Sequence, residues 1–184
     1  MRKIIVSEFM SLDGVIEAPE KWHFPFISDD MMEDIKEHIL ASDGLLLGRV
    51  TYEIFAGSWP SQTNDELGIA DKINSQPKYV VSTTLQKADW NNSTLIRSNV
   101  MQEVAKLKQQ PGGDIGVTGS AVLVQSLLQA GLVDELRLFI HPIVIGSGQR
   151  LFTDGLNTTA LKLVENKTFT SGVVVLTYQG DSNG

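Results

Sequence analysis

The sequence predicts an α/β fold with a mostly parallel central sheet that ends in antiparallel C-terminal strands. As far as residue 140, helical patterns alternate with short strand-like runs, an order typical of a parallel sheet flanked by helices. Beyond residue 140, strand-like runs follow one another, which indicates antiparallel pairing at one edge of the sheet. A chain of 184 residues can bury a full hydrophobic core, so we expect a single domain over residues 1–184.

Strands and helices alternate in the N-terminal half of the prediction. Lys3 to Phe9 is rich in isoleucine, valine and phenylalanine and is typical of a buried central strand. Ser28 is placed to cap a helix that runs to about residue 41. The all-apolar run Gly44 to Leu47 indicates a strand buried on both faces. The remaining elements of this half are a helix over Glu66 to Ser75 with Leu67 facing the core, strands over Lys78 to Ser82 and at Leu95 and Ile96, and a helix opened by Asn99.

The segment Asp114 to Phe152 combines a strand, a glycine turn and a helix. Ile115 to Thr118 is a short strand-like run, the Gly119-Ser120 pair interrupts it, and Ala121 to Gln129 repeats apolar residues at helical spacing. Ser120 is placed to cap this helix. Further strands are expected at Leu136 to Ile140, Ala160 to Val164 and Val173 to Tyr178.

Composition and charge exclude several classes of function. A net charge of −7 and a sequence pI near 4.9 argue against a broad basic surface for nucleic acid or anionic lipid. The chain contains no cysteine, which excludes disulfides, a thiolate nucleophile and a Cys-ligated metal site. Its N-terminal apolar run is too short for a signal peptide, and no stretch approaches a membrane span. We therefore expect a cytoplasmic protein that binds neither nucleic acid nor a membrane, and we expect no metal site.

Polar and glycine residues follow several of the predicted strands. In open α/β sheets ligands bind beyond the carboxyl ends of the strands, where these residues would lie. Gly48, Arg49 and Thr51 offer N–H groups, a guanidinium and a hydroxyl at the start of a helix, which suits a phosphorylated ligand. The turn at Gly119 and Ser120 repeats this arrangement before another helix. Each junction also has a purely structural interpretation, with hydroxyl caps and a surface ion pair, but two junctions in one chain favour a ligand.

Other segments carry two interpretations each. The hydroxyls of Ser82 to Thr84 could bind phosphate or ribose, or satisfy the backbone of their own turn. Asp13 lies in a turn and could stand at the lip of a pocket. Asp30 and Glu33 lie near the start of a predicted helix, where a carboxylate could donate a proton to a substrate or interact only with the helix dipole. Trp22 to Ile27, aromatic and interrupted by proline, is expected to form a loop over a ligand ring or over the core.

Four segments resemble a known family over almost the whole chain, in order and at suitable spacing. They are SLDGVIEAP, LLLGRVTYE, KYVVSTTL and GDIGVTGSAVLVQSLLQAGLVDELRLFIHPIVIGSGQRLF. They resemble the family that joins dihydrofolate reductase to the reductase domain of the bifunctional riboflavin-biosynthesis deaminase-reductase, and the last segment points to the riboflavin-type branch. The resemblance implies a dihydrofolate-reductase-like three-layer α/β/α fold, NADPH as hydride donor and a homodimer that pairs through the Leu136 to Ile145 region.

The resemblance also implies roles for individual residues. It makes Asp30 and Glu33 the candidates for the acidic residue that dihydrofolate reductase places in its first helix. We ourselves expect Asp13 to be the polar group on the substrate side. The riboflavin branch usually carries Glu-Gly-Gly at the central turn, where this chain has Thr-Gly-Ser at residues 118–120. The implied reaction is hydride transfer to 5-amino-6-(5-phosphoribosylamino)uracil or a similar small heterocycle; a pterin reductase and a nucleotide-binding protein without catalysis are the alternatives. The residues implied in cofactor binding are Gly48, Arg49 and Thr51 at the phosphates, Ser82, Thr83 and Thr84 at the adenosine-ribose phosphate, and Gly119, Ser120 and Ala121 at the pyrophosphate.

Overall fold

An eight-stranded mixed sheet forms the centre of the fold in a computed structural model, which describes residues 1–63 and 67–180. In chain order the strands are β1 Ile4–Ser11, β2 Ser42–Gly48, β3 Lys78–Val81, β4 Ser93–Ile96, β5 Asp114–Val117, β6 Glu135–His141, β7 Leu161–Thr168 and β8 Val174–Gly180. Across the sheet their order is β4-β3-β2-β5-β1-β6-β8-β7. The prediction that the first strand is central is therefore confirmed.

The strand direction changes near one edge of the sheet, as predicted. From β4 to β6 in the spatial order, every neighbouring pair is parallel. β8 is antiparallel to β6, and β7 is antiparallel to β8. The parallel strands therefore end on one side of the sheet, which we call the carboxyl edge. Asp13, Arg49, Ser82 and Gly119 follow β1, β2, β3 and β5 at this edge.

Helices cover both faces of the sheet and give the expected three-layer arrangement. They are α1 Asp29–Ala41, α2 Arg49–Ser58, α3 Ile69–Ser75, α4 Val100–Gln109 and α5 Ala121–Gln129. Leu45 and Leu47 of β2 pack with α2 and α3 on one face, while Leu46 packs with α4 and α5 on the other. This alternation explains why the whole run is apolar. Within residues 1–63 and 67–180, no helix has the length and apolar character required to cross a bilayer.

A buried ion pair joins α1 to the sheet. Arg137 of β6 is 2% exposed and donates a hydrogen bond to Oδ2 of Asp34 at 2.7 Å. Lys167 of β7 approaches the other carboxylate oxygen at 3.4 Å. Because desolvation of both charges is expensive, the pair adds little net stability, but removing one partner leaves the other charge uncompensated. The two residues therefore fix the position of α1 against β6.

Several predicted details are wrong. The helix expected over Glu66 to Ser75 begins at Ile69, because Gly68 takes a left-handed conformation with φ of 72° before it. Leu67 is 45% exposed rather than buried, and Glu66 lies outside the described residues. The residues expected to cap helices by side-chain hydrogen bonds do not do so: Ser28 and Ser120 make no such bond, and Thr51 lies inside α2, whose cap position is held by Gly48.

Replacement of Asp34 by alanine should destabilise the protein by about 3–5 kcal/mol, because it leaves Arg137 buried without its partner. Asp29→Ala is the matched control, since Asp29 is an exposed carboxylate in the first turn of the same helix. The Asp29→Ala variant should lose less than about 1 kcal/mol of unfolding free energy. Urea denaturation of both variants measures the two free energies of unfolding, and equal small losses would contradict a structural role of the ion pair.

Candidate functional site

Two strand-to-helix junctions meet at the carboxyl edge and are joined by one hydroxyl group. The β2–α2 junction contains Gly48 and Thr51, and the β5–α5 junction contains Ser120. The Ser120 hydroxyl accepts the Gly48 N–H at 2.9 Å and donates to the Thr51 hydroxyl at 2.9 Å. The junctions are close because β2 and β5 are neighbours in the sheet. The two segments that the sequence marked separately therefore form one site.

Both junctions need glycine, because the backbone of each approaches a side chain of the other closely. A Cβ at Gly48 would lie 2.9 Å from the Ser120 hydroxyl oxygen, and a Cβ at Gly119 would lie 2.6 Å from that of Thr51. Gly119 also has a φ of 61°, which disfavours residues with a side chain. Neither α2 nor α5 receives a capping hydrogen bond from a side chain. The first N–H groups of both helices are thus free of side-chain acceptors, and the helix dipoles favour an anion there.

Arg49 begins α2 beside these N–H groups. Its guanidinium donates to Glu53 one turn later at 2.7 Å, and both side chains are more than 40% exposed, at 43% and 46%. An exposed pair of this kind contributes little stability. The guanidinium can therefore exchange Glu53 for a ligand phosphate, which it can bind through two parallel hydrogen bonds.

The hydroxyls that follow β3 divide into two kinds. Ser82 is buried, and its hydroxyl accepts the N–H groups of Thr84 at 3.2 Å and Leu85 at 2.9 Å. It therefore shapes the turn. Thr83 and Thr84 are exposed at the carboxyl edge, next to the end of β2. Their hydroxyls are the ones available to a ligand.

Asp13 connects the loop after β1 to the loop after β6. Its carboxylate accepts the Ser11 hydroxyl at 2.7 Å and the N–H groups of Ile145 at 3.1 Å and Gly146 at 2.8 Å. The Ser11 hydroxyl, followed by these N–H groups, lowers the pKa of Asp13 to about 2. Asp13 is therefore ionised at neutral pH and can accept hydrogen bonds but does not serve as a proton donor.

The other two predicted substrate-side carboxylates lie on α1. Asp30 accepts the N–H of Thr170 at 2.9 Å and its hydroxyl at 3.0 Å. The Ser28 hydroxyl, followed by the Thr170 N–H, lowers the pKa of Asp30 to about 2. Glu33 is exposed. Asp13 and Asp30 bind different loops, so the structure places no hydrogen bond between them.

An aromatic cluster beside the ends of β1 and β6 was not predicted as a unit. His23 stacks on Phe9 with ring centroids 4.5 Å apart, and the His141 ring contacts Phe9, Trp22 and Phe26. Burial lowers the pKa of both histidines, so each is neutral at pH 7. The aromatic content of Trp22 to Ile27 was the available signal. Its partners on β1 and β6 could not be recognised without the sheet order.

Glu8 was also missed. It lies in β1, is 3% exposed, and accepts the Gly119 N–H at 3.0 Å. A charged residue type inside an apolar central strand was the signal that could have found it.

The sequence profile described as RibD C-terminal domain matches residues 2–175. The chain belongs to the RibD C-terminal domain family. The uncharacterized protein YyaP of Bacillus subtilis (strain 168) is 36% identical to this chain over 179 residues, which cover 96% of this chain and 94% of YyaP.

Solved structures confirm the fold of this RibD C-terminal domain. A putative riboflavin biosynthesis protein from Shewanella sp. PV-4 superposes with a TM-score of 0.75 at 21% identity, over 97% of this chain and 99% of that one. Dihydrofolate reductase from Enterococcus faecalis, complexed with NADP(H) and RAB-propyl, superposes with a TM-score of 0.64 at 14% identity, over 98% and 97%. The expected dihydrofolate-reductase-like fold is therefore confirmed.

Replacement of Gly119 by alanine should destabilise the protein more than replacement of Gly131. Both glycines have a left-handed φ, 61° and 65°, but no atom lies within 4 Å of a Cβ at Gly131. Gly131→Ala should therefore cost only the backbone strain of about 1–2 kcal/mol. Gly119→Ala should lose about 1–3 kcal/mol more, because its methyl group overlaps the Thr51 hydroxyl. Equal losses in urea denaturation would contradict the close approach of the two junctions.

Proposed function

We propose that this protein is an NADPH-dependent reductase that transfers hydride to a small heterocycle resembling 5-amino-6-(5-phosphoribosylamino)uracil. The observation that carries the proposal is the Ser120 hydroxyl contact, which brings two uncapped helix starts together at the carboxyl edge. Two adjacent groups of free N–H donors suit a dinucleotide, whose several phosphates need more than one helix terminus. Membership of the RibD C-terminal domain family and the NADP(H) complex of the Enterococcus faecalis neighbour support the same class of cofactor.

The residues of the site fit the phosphate groups of NADPH. Gly48 and Gly119 let the two junctions approach closely, because a Cβ at either position would overlap a hydroxyl of the other junction. In the proposal, Gly119, Ser120 and Ala121 bind the pyrophosphate, Gly48 and Thr51 lie beside it, and the Arg49 guanidinium reaches the adenosine-ribose phosphate. Thr83 and Thr84 contact the adenosine-ribose phosphate, with Ser82 holding their turn. Arg49 favours NADPH over NADH because its guanidinium recognises the additional phosphate.

The substrate side of the proposal uses the aromatic cluster and the carboxylates. Bound NADPH would supply the hydride. We assign the aromatic cluster around Phe9 and Trp22 to packing against the heterocycle and excluding water from it. Asp13 and Asp30 are ionised, so we assign them to accepting N–H groups of the substrate rather than to donating a proton. Glu33, exposed on α1, is assigned a role only at the rim of the site.

The proposal includes a homodimer that acts in the cytoplasm. The apolar row at the antiparallel edge of the sheet lies on the face that carries α4 and α5 and is only partly buried in one copy of the chain. Ile140, Leu176 and Tyr178 are half-buried there, and Leu163 of β7, paired with Tyr178, is 45% exposed. A second copy would remove this apolar area from water.

Arg49→Ala should weaken NADPH binding by about tenfold to a hundredfold and NADH binding by less than about threefold, because the lost guanidinium contacts the phosphate that only NADPH carries. Titrations at low and high salt measure both affinities, and salt should weaken the wild type more than the variant. Lys106→Ala is the matched control, since Lys106 forms an exposed pair with Glu103 at 2.7 Å on α4. It should leave both affinities unchanged.

Absence of binding of either nucleotide to the wild-type protein would overturn the proposed function. Cofactor oxidation separates an enzyme from a nucleotide-binding protein without catalysis. NADPH oxidation that depends on a pyrimidine ribosylamine or a dihydropterin would establish the reductase and its substrate class. Binding without oxidation by either class would establish the alternative.

Leu163→Asp should convert the dimer to a monomer, because it places a charge on the apolar sheet face. Leu40→Asp on α1 is the control, since Leu40 is similarly exposed at 41% but lies on another surface. Sedimentation velocity measures the mass of each species. A monomeric wild-type protein would contradict the homodimer.

A further inference from the structure

Glu8 is a buried carboxyl group that the proposed reaction does not use. Its Oε2 accepts the Gly119 N–H at 3.0 Å, while Oε1 is buried and has no hydrogen-bond partner among the described residues. The side chain shares a sheet face with Ile4 and Val6, which are fully buried. Glu8 therefore joins an apolar core to the turn at the start of α5.

The elements around Glu8 provide no cation for it. α5 packs on this face and contains no titratable residue. In the neighbouring strands, the charged and titratable groups are Asp114 at the opposite end of β5, Glu135 of β6 paired with Lys3, and Arg137 and His141 on the other face of β6. In α2, Arg49 and Glu53 pair with each other, and the Tyr52 hydroxyl accepts the Trp90 N–H. In α4, Glu103, Lys106 and Lys108 pair among themselves or with Asp134. None of the ion pairs in the described part of the chain includes Glu8.

These surroundings favour the neutral acid. A buried carboxylate with one donor and no cation costs several kcal/mol, and such groups usually bind a proton instead. Burial raises the pKa of Glu8 well above its ordinary value, and the Gly119 N–H offsets this only in part. Asp13 and Asp30 differ from it because several donors stabilise their ionised forms.

We propose that Glu8 is a positioning residue that must keep its proton for the Gly119 turn to bind the phosphates of a nucleotide. The inference rests on the proposed function, because it concerns the same turn. The neutral acid accepts the Gly119 N–H and holds the turn without adding a negative charge. Ionised Glu8 would repel a bound pyrophosphate across an interior of low dielectric constant. It would also bind the Gly119 N–H more strongly and withdraw it from the ligand.

Proton binding and nucleotide binding then support each other. A bound anion makes ionisation of Glu8 still less favourable, so its pKa is higher in the complex than in the free protein. The affinity for the nucleotide is therefore highest below the pKa that Glu8 has in the free protein, and it falls as the pH rises above that pKa. Between the two pKa values the fall is about tenfold per pH unit, and above the pKa of the complex it stops.

The test is the ratio of NADPH dissociation constants of the wild type and Glu8→Gln between about pH 6 and 9.5, a range wide enough for a raised carboxyl pKa. Glutamine keeps an oxygen for the Gly119 N–H and cannot ionise. The ratio cancels the titration of the cofactor and of other residues. It should be near one at low pH, and the wild type should become about tenfold weaker than the variant at high pH. Glu17→Gln is the control, because exposed Glu17 also accepts one backbone N–H, that of Gln149 at 2.7 Å.

The outcomes separate this inference from the proposed function. A ratio that stays constant with pH, while both proteins bind NADPH, would overturn the role of Glu8 and leave the reductase proposal intact. No binding to the wild type at any pH would overturn both. If Glu8→Gln does not fold, calorimetry of the wild type in buffers of different ionisation enthalpy, repeated between about pH 8 and 9.5, replaces it, since the cofactor phosphates are fully ionised over that range. Proton uptake on binding supports the inference, and its absence overturns it.

Discussion

The hydroxyl group of Ser120 determines the geometry of the candidate site, because it orients the starts of α2 and α5 relative to each other. The contact requires that β2 and β5 are neighbours and that residues 48 and 119 have no side chain. Ser120 itself has a φ of 59°, a left-handed conformation that costs a serine about 1–3 kcal/mol. The surrounding contacts hold it there. Strand order, two glycines and one strained serine therefore act together, and the positions of Arg49 and Glu8 relative to the turn follow from them.

An acidic chain with a net charge of −7 can still offer a favourable site for an anion. The local potential at the carboxyl edge comes from two helix starts and one guanidinium, and distant negative charges are screened over about 8–10 Å at physiological salt. The two carboxyl groups close to the site lie in different surroundings. Asp13 is surrounded by N–H and O–H donors that lower its pKa to about 2, whereas Glu8 is buried with one donor, and burial raises its pKa well above its ordinary value. Backbone orientation and protonation, rather than the number of lysines and arginines, set the charge that a ligand meets.

The sequence predicted the elements whose signals are local. The apolar run of β2, the helical spacing of α5 and the change from alternating to consecutive strands all depend on residues close in the chain, and all are confirmed. Details that depend on distant partners were missed or wrong. The Ser120 hydroxyl, expected to cap its own helix, bonds to Gly48, 72 residues away, and Asp34 finds Arg137 at a separation of 103 residues. The spacing of residues in the sequence does not tell which strands are neighbours in the sheet. It therefore predicted both strand-to-helix junctions but not the contact between them.

The central position of β1 also governs the order in which the protein can form during synthesis. Ile4 pairs with Ile115 and Val6 with Leu136, so β1 has no partner in the sheet until β5 has left the ribosome. Closing such long loops slows folding, and an unpaired apolar strand is prone to associate with other chains while it waits. Glu8, in the middle of this strand, is exposed to water at that stage and ionised. Its charge then interrupts the apolar run, and burial raises its pKa only once the sheet has formed.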